Sequence, residues 1–157
     1  MLRRGLCGTF AALCVIVGCG DGTPVATSAC QPTEAAVLSV AEGLTAADNA
    51  HDVEIVLDHY ADDIIFITPQ GNLVAGKKAI RPRYERLFRD FVLDIQMEAE
   101  EVGLGGEWAF VRGRNVGTFT SRETDEVDPL EDRFLMILRC EPDAGWKVSR
   151  LMWVEAH

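Results

Sequence analysis

From Val92 to Val102 the chain alternates Leu93, Ile95, Met97 and Ala99 with Asp94, Gln96, Glu98 and Glu100. A period of two sends the apolar side chains to one face and the charged ones to the other, which defines a half-buried β-strand. The glycine-rich turn Gly103-Leu104-Gly105-Gly106 leads into a second β-rich run, Trp108 to Phe119. An acidic loop from Arg122 to Pro129 follows. Two more strands, Asp132 to Cys140 and Trp146 to Glu155, flank the turn at Asp143-Ala144-Gly145. The second half is therefore all strand, and a sheet with one apolar face must be covered by something.

The first half supplies the cover. Thr33 follows Pro32 as a helix N-cap, and Val37, Val40, Ala41, Leu44 and Ala47 then share one face at three- and four-residue spacing. Asp52 caps a second, shorter helix with Val53, Val56, Leu57 and Tyr60 on its apolar side. Ile64 to Thr68 is a β-rich run ending at the turn Pro69-Gln70-Gly71-Asn72. Gly76 opens a third helical segment whose Ile80, Tyr84, Leu87, Phe88 and Phe91 share a face. Pro82 lies inside it and predicts a broken first turn or a late start. Helices first and a long antiparallel sheet afterwards make an α+β domain, with three N-terminal helices on a curved, mainly antiparallel sheet.

The amino terminus has a different character. Arg3 and Arg4 precede an almost wholly apolar run, Leu6 to Val17, with Gly18 just before Cys19. A basic start, a short apolar stretch and a small residue at the cut define a secretory signal over residues 1–18. Ile16-Val17-Gly18-Cys19 resembles a lipobox, which implies diacylglycerol on the Cys19 thiol and a bacterial envelope location outside the cytoplasm, with membrane attachment through the lipid alone. Residues 19–32 then form a tether and residues 33–157 the domain. With Cys7 and Cys14 removed and Cys19 acylated, Cys30 and Cys140 remain; they form a bridge, or stay as a loose and a half-buried thiol. The formal charge of −10 becomes −12 when Arg3 and Arg4 leave with the signal. So acidic a chain is a poor match for nucleic acid.

The order helix, helix, strand, helix, four-stranded meander resembles the superfamily named after nuclear transport factor 2, a cone-shaped, cystatin-like roll. Tyr60-Ala61-Asp62-Asp63, the Pro69-Gln70-Gly71 turn, Gly76-Lys77-Lys78-Ala79-Ile80 and Met152-Trp153-Val154-Glu155 are similar to the signature of its SnoaL-like and ketosteroid-isomerase-like branches. The resemblance implies a pocket between sheet and helices. In ketosteroid isomerases an aspartate base there faces an oxyanion hole of a tyrosine and a protonated aspartic acid. Carried over by position, the base falls on Thr68, the tyrosine on Leu44 and the oxyanion acid on about Met136. Leu and Met cannot donate a hydrogen bond, and Thr is no base at neutral pH, so isomerisation by that mechanism is not expected.

Alternation around those positions sets the expected ligand contacts: Tyr60, Phe66, Thr68, Tyr84, Met136 and Trp153, a mainly apolar and aromatic set. Arg112 and Arg114 complete it if they point into the cone, where they would hold a carboxylate or phosphate. Pointing outward, they would pair with acids such as Glu98 and Glu100. The six cations on the third helix, Lys77, Lys78, Arg81, Arg83, Arg86 and Arg89, read as a solvated face or a dock for anionic lipid. His51, His59 and His157 lack metal-ligand spacing, and no cofactor motif is present. The expectation is an envelope lipoprotein binding a small apolar or amphipathic molecule without catalysis, as a homodimer through its sheet. The alternatives are a SnoaL-like enzyme with a non-standard site and a protein-interaction module.

Overall fold

The computed structural model describes residues 30–156. The expected signal segment, the expected Cys19 acceptor and most of the expected tether lie outside them. Helix α1 spans Glu34–Ala50, α2 Val53–His59 and α3 Lys77–Asp90. The strands are β1 Tyr60–Ile67, β2 Leu73–Ala75, β3 Phe91–Gly105, β4 Trp108–Ser121, β5 Val127–Glu141 and β6 Gly145–Glu155. They make one sheet in the order β2-β1-β6-β5-β4-β3. The meander β3 to β6 is antiparallel throughout, and β1 joins it in parallel against β6. This is the α+β arrangement that the sequence pattern anticipates, closed into the cone that the resemblance implies.

The caps are where the side chains put them. Thr33 accepts from the Ala36 amide at 3.2 Å and Asp52 from the Ile55 amide at 3.1 Å, each satisfying a donor left open by its helix. The apolar stripe of α1 packs inward, with Val37, Ala41, Leu44 and Ala47 all buried. Four local expectations change. The second helix ends at His59, so Tyr60 to Asp63 open β1 rather than finish a helix. Helix α3 is continuous from Lys77 through Pro82, so it neither starts late nor breaks; the ring removes only the bond to the Lys78 carbonyl. The acidic loop contracts to a turn after Ser121, because Val127 to Leu130 pair with Thr120 to Gly117. A short strand, Leu73–Ala75, follows the Pro69 turn and pairs with Ile65 to Ile67.

Two features close the cone. On β4 the inward positions Gly113 and Gly117 carry no side chain, and a Cβ there would overlap the carbonyl oxygens of Glu98 and Asp94. Their absence lets β3 fold over β4, helped by an irregularity between Ala99 and Glu101. β3 is then a sheet edge, and the end of α1 covers it. The Asn49 side-chain amide donates to the Ile95 carbonyl and accepts from the Ile95 amide, both at 2.8 Å. His51 Nε2 accepts from the Leu93 amide at 3.0 Å. An amide side chain thus stands in for a neighbouring strand and occupies the open edge.

At the opposite end Cys30 and Cys140 are joined by a disulfide, with Cα atoms 5.8 Å apart. The Trp146 indole N–H donates to the Gln31 carbonyl at 2.9 Å beside it.

Candidate functional site

Pinning α1 to β3 leaves a cavity of about 420 Å³ between helices and sheet, open to solvent on one side. That is the size of a small-molecule site. Its wall is an aromatic chain: Trp153 meets Phe66 edge-on at 5.6 Å, and Phe66 meets Tyr60 at 5.3 Å and Tyr84 at 6.3 Å. Leu44, Met97, Phe134, Met136 and Leu151 add apolar surface. Of the ligand contacts expected from sequence, Tyr60, Phe66, Tyr84, Met136 and Trp153 line this cavity.

Three do not, and each has a physical reason. Thr68 is buried, but its hydroxyl accepts from the Asn72 amide at 3.2 Å, and its backbone bonds Gly71 and Asn72; it fastens the turn after β1 instead of lining the cavity. Arg112 and Arg114 lie on the outer face of β4, because the inward positions are Ala109, Val111, Gly113 and Asn115. Arg112 pairs with Glu100 and, at 3.0 Å, with Glu101; Arg114 holds Glu98 at 2.7 Å. They are cross-strand ion pairs on an exposed surface, worth little each.

The cavity holds polar groups that the position-by-position transfer did not find. Asp48 sits one turn beyond Leu44 on α1, half-buried as a residue, with its Oδ1 shielded from solvent and without a hydrogen-bond partner among the described residues. Burial alone pushes its carboxyl from 3.8 up to about 8, so it stands protonated at neutral pH as a hydrogen-bond donor. Tyr60 and Tyr84 share a hydrogen bond at 2.5 Å between hydroxyl oxygens. One O–H makes that bond, which leaves the other hydrogen free for a third partner. Burial, together with the nearby Asp48 charge, holds both phenols well above their usual range, so they stay neutral.

Across the cavity Asp132 on β5 accepts from Asn115 Nδ2 at 2.9 Å. Burial raises its pKa too, and the Asn115 hydrogen bond opposes the shift. Both acids were legible. Asp48 continues the stripe Val37, Ala41, Leu44, and Asp132 continues the alternation Phe134, Met136, Leu138 toward the turn.

His51 and His59 are structural. His51 ends α1 in a left-handed conformation (φ 57°) and stacks edge-on against Phe88 at 5.4 Å. Burial, then Arg122, lowers its pKa, consistent with the acceptor role of Nε2. His59 packs so closely on Gly43 that a Cβ there would lie 2.7 Å from its ring. Asp63, four residues beyond His59, binds Arg139 bidentately at 2.9 and 3.0 Å.

The site is therefore an apolar, aromatic cone with two carboxyl groups and a phenol pair. The family model of the SnoaL-like domain matches residues 41–146, and the chain belongs to that family. Among solved structures it is similar to a ketosteroid isomerase-like protein from Erwinia carotovora atroseptica, with 27% identity and a TM-score of 0.71 over 77% of this chain and 94% of that one. A conserved protein from Planctomyces limnophilus shares the fold at 21% identity and a TM-score of 0.72, over 78% and 97% of the two chains. So does a nuclear transport factor 2-like protein from Salmonella enterica serovar Typhimurium, at 12% and 0.68, over 77% and 89%. No curated protein matches the sequence.

Proposed function

We propose that this protein is a lipid-anchored envelope protein whose cone binds a small apolar or amphipathic molecule. The observation that carries this reading is the cavity itself: about 420 Å³ stays open between large aromatic side chains that could otherwise have closed on one another. Asp48 and the free phenolic hydrogen orient the guest by donating to a carbonyl, ether or hydroxyl oxygen. Leu44 and Met136 supply only apolar contact, which supports binding over ketosteroid-isomerase-type chemistry. Cys19 carries the anchor, and the outer face of the sheet joins two copies. An interaction module with a filled cone fits the open cavity poorly.

The test is mass spectrometry of the protein released from the membranes of its own host, native and denatured. A mature chain lacking residues 1–18 and carrying acyl chains on Cys19 supports the anchor. A small molecule present in the native spectrum and lost on denaturation supports the binding role. A bare protein mass counts against it, and a monomeric native mass counts against the dimer.

One observation favours a second reading, general acid–base catalysis. Asp48 is a buried, protonated acid with an unused oxygen in the same cavity as Asp132, and perturbed carboxyls of this kind concentrate at catalytic centres. If Asp48 acts on the guest, the molecule recovered from an Asp48→Asn protein differs in structure from the one recovered from the wild type. An identical molecule in both removes this reading and leaves binding.

A further inference from the structure

Almost every basic side chain among the described residues is committed. Lys77 holds Asp62, Arg81 holds Glu54, Arg89 holds Asp90, Arg133 holds Glu100, and Lys147 lies by Asp58. Arg112, Arg114 and Arg139 grip carboxylates, while Arg122 and Arg150 donate to backbone oxygens. Lys78, Arg83 and Arg86 make no ion pair or hydrogen bond within the described residues. Two of these three, Arg83 and Arg86, border the cavity.

Their placement follows from α3. Residues three apart share a helix face, so Arg83 and Arg86 rise from neighbouring turns on one side of the buried Tyr84. The positive charge of Arg83 reaches the Tyr84 hydroxyl and favours its ionised form. Asp90, the carboxylate of α3 on the same wall, is occupied by Arg89 at 2.8 Å. In a chain of formal charge −10, two arginines one turn apart on the cavity rim without an acid partner among the described residues stand out.

We infer that Arg83 and Arg86 form an anion-recognition subsite on the rim of the cavity, and that the guest is an amphipathic organic anion whose carboxylate or equivalent headgroup they hold while its apolar body lies against Phe66 and Trp153. This rests on the cavity being a ligand site and narrows the class of ligand. Planar guanidinium groups suit the task, because each offers two parallel N–H donors to a carboxylate. The arrangement also fixes direction: headgroup at α3, oxygen-bearing body toward Asp48.

The full chain is titrated with two probes of one skeleton, anionic 1-anilinonaphthalene-8-sulfonate and neutral N-phenyl-1-naphthylamine, read through tryptophan-sensitised emission. Wild type, the double variant Arg83→Gln/Arg86→Gln and the control Lys78→Gln are compared. The double variant weakens the anionic probe by about tenfold or more and leaves the neutral one unchanged, as loss of charge-assisted bonds requires. Lys78→Gln leaves both unchanged. Equal losses for the two probes, no loss, or an equal loss in Lys78→Gln overturns the anion subsite and leaves the cavity reading intact. If neither probe binds the wild type, the cavity reading falls and the subsite with it.

Discussion

Asp48→Asn tests the buried acid through stability, independently of any ligand. Asparagine keeps the shape and hydrogen-bonding capacity of the protonated carboxyl but does not titrate. In the unfolded chain Asp48 ionises near 3.8, and in the folded protein near 8. Between these values the folded state holds a proton that the unfolded state has lost, so the contribution of Asp48 is fully present below about pH 4 and declines as pH rises. The slope is about 1.4 kcal/mol per pH unit, which reaches about 4 kcal/mol at pH 7. The variant and the wild type are therefore equally stable near pH 4, and the variant is the more stable at pH 7 by up to about 4 kcal/mol. Guanidinium denaturation of both proteins at pH 4, 5, 6 and 7, disulfide intact, gives the difference directly, and the other titrating groups, Asp132 included, cancel. Two denaturation curves that stay the same distance apart at every pH would refute the reasoning, since Asp48 would then ionise in the fold as it does in water.

Tyr84→Phe strands the fully buried Tyr60 hydroxyl and costs about 1–3 kcal/mol, whereas Tyr60→Phe/Tyr84→Phe together cost less than the sum of the two singles; a double-mutant cycle by denaturation reads the coupling. Replacing Cys30 and Cys140 by serine opens a loop of 110 residues and costs about 3–5 kcal/mol, seen as a lower midpoint that added reductant no longer shifts. Asn49→Ala leaves both Ile95 backbone groups without their partner, so the Ile95 amide exchanges faster with deuterium while amides at the centre of β5 do not change.

The elements were legible wherever one side of the chain meets the core and the other meets water. The stripe Val37, Ala41, Leu44, Ala47 and the alternation Leu93, Ile95, Met97 are that signal, and both lie where the periodicity puts them. What resisted was of two kinds. Ends of elements depend on partners far away in sequence: Tyr60 extends β1 because Val148 lies beside it, and Val127 extends β5 because Thr120 does. Site chemistry depends on which polar residues interrupt an apolar face. Asp48 does so one turn beyond Leu44 and Asp132 two alternations before Met136, so transferring roles position by position passed over them. Arg83 and Arg86 looked like the rest of a solvated helix face, since nothing in a local pattern separates a cation with an acid partner from one without. Thr68 misled for the converse reason: a buried hydroxyl beside a turn serves its own backbone first.

The bridge at Cys30 decides how the domain would carry load. Any pull arriving from the amino-terminal side reaches Cys30 before Glu34, where α1 begins, and crosses through Cys140 into β5, a strand flanked by β4 and β6. The sheet then takes the force across its hydrogen-bonded interior, and α1, with Asp48 on it, stays slack. Once the bridge is reduced, the same pull enters α1 at its first turn and peels the helix off β3. An oxidised bridge thus insulates the cavity from whatever moves the chain ahead of it.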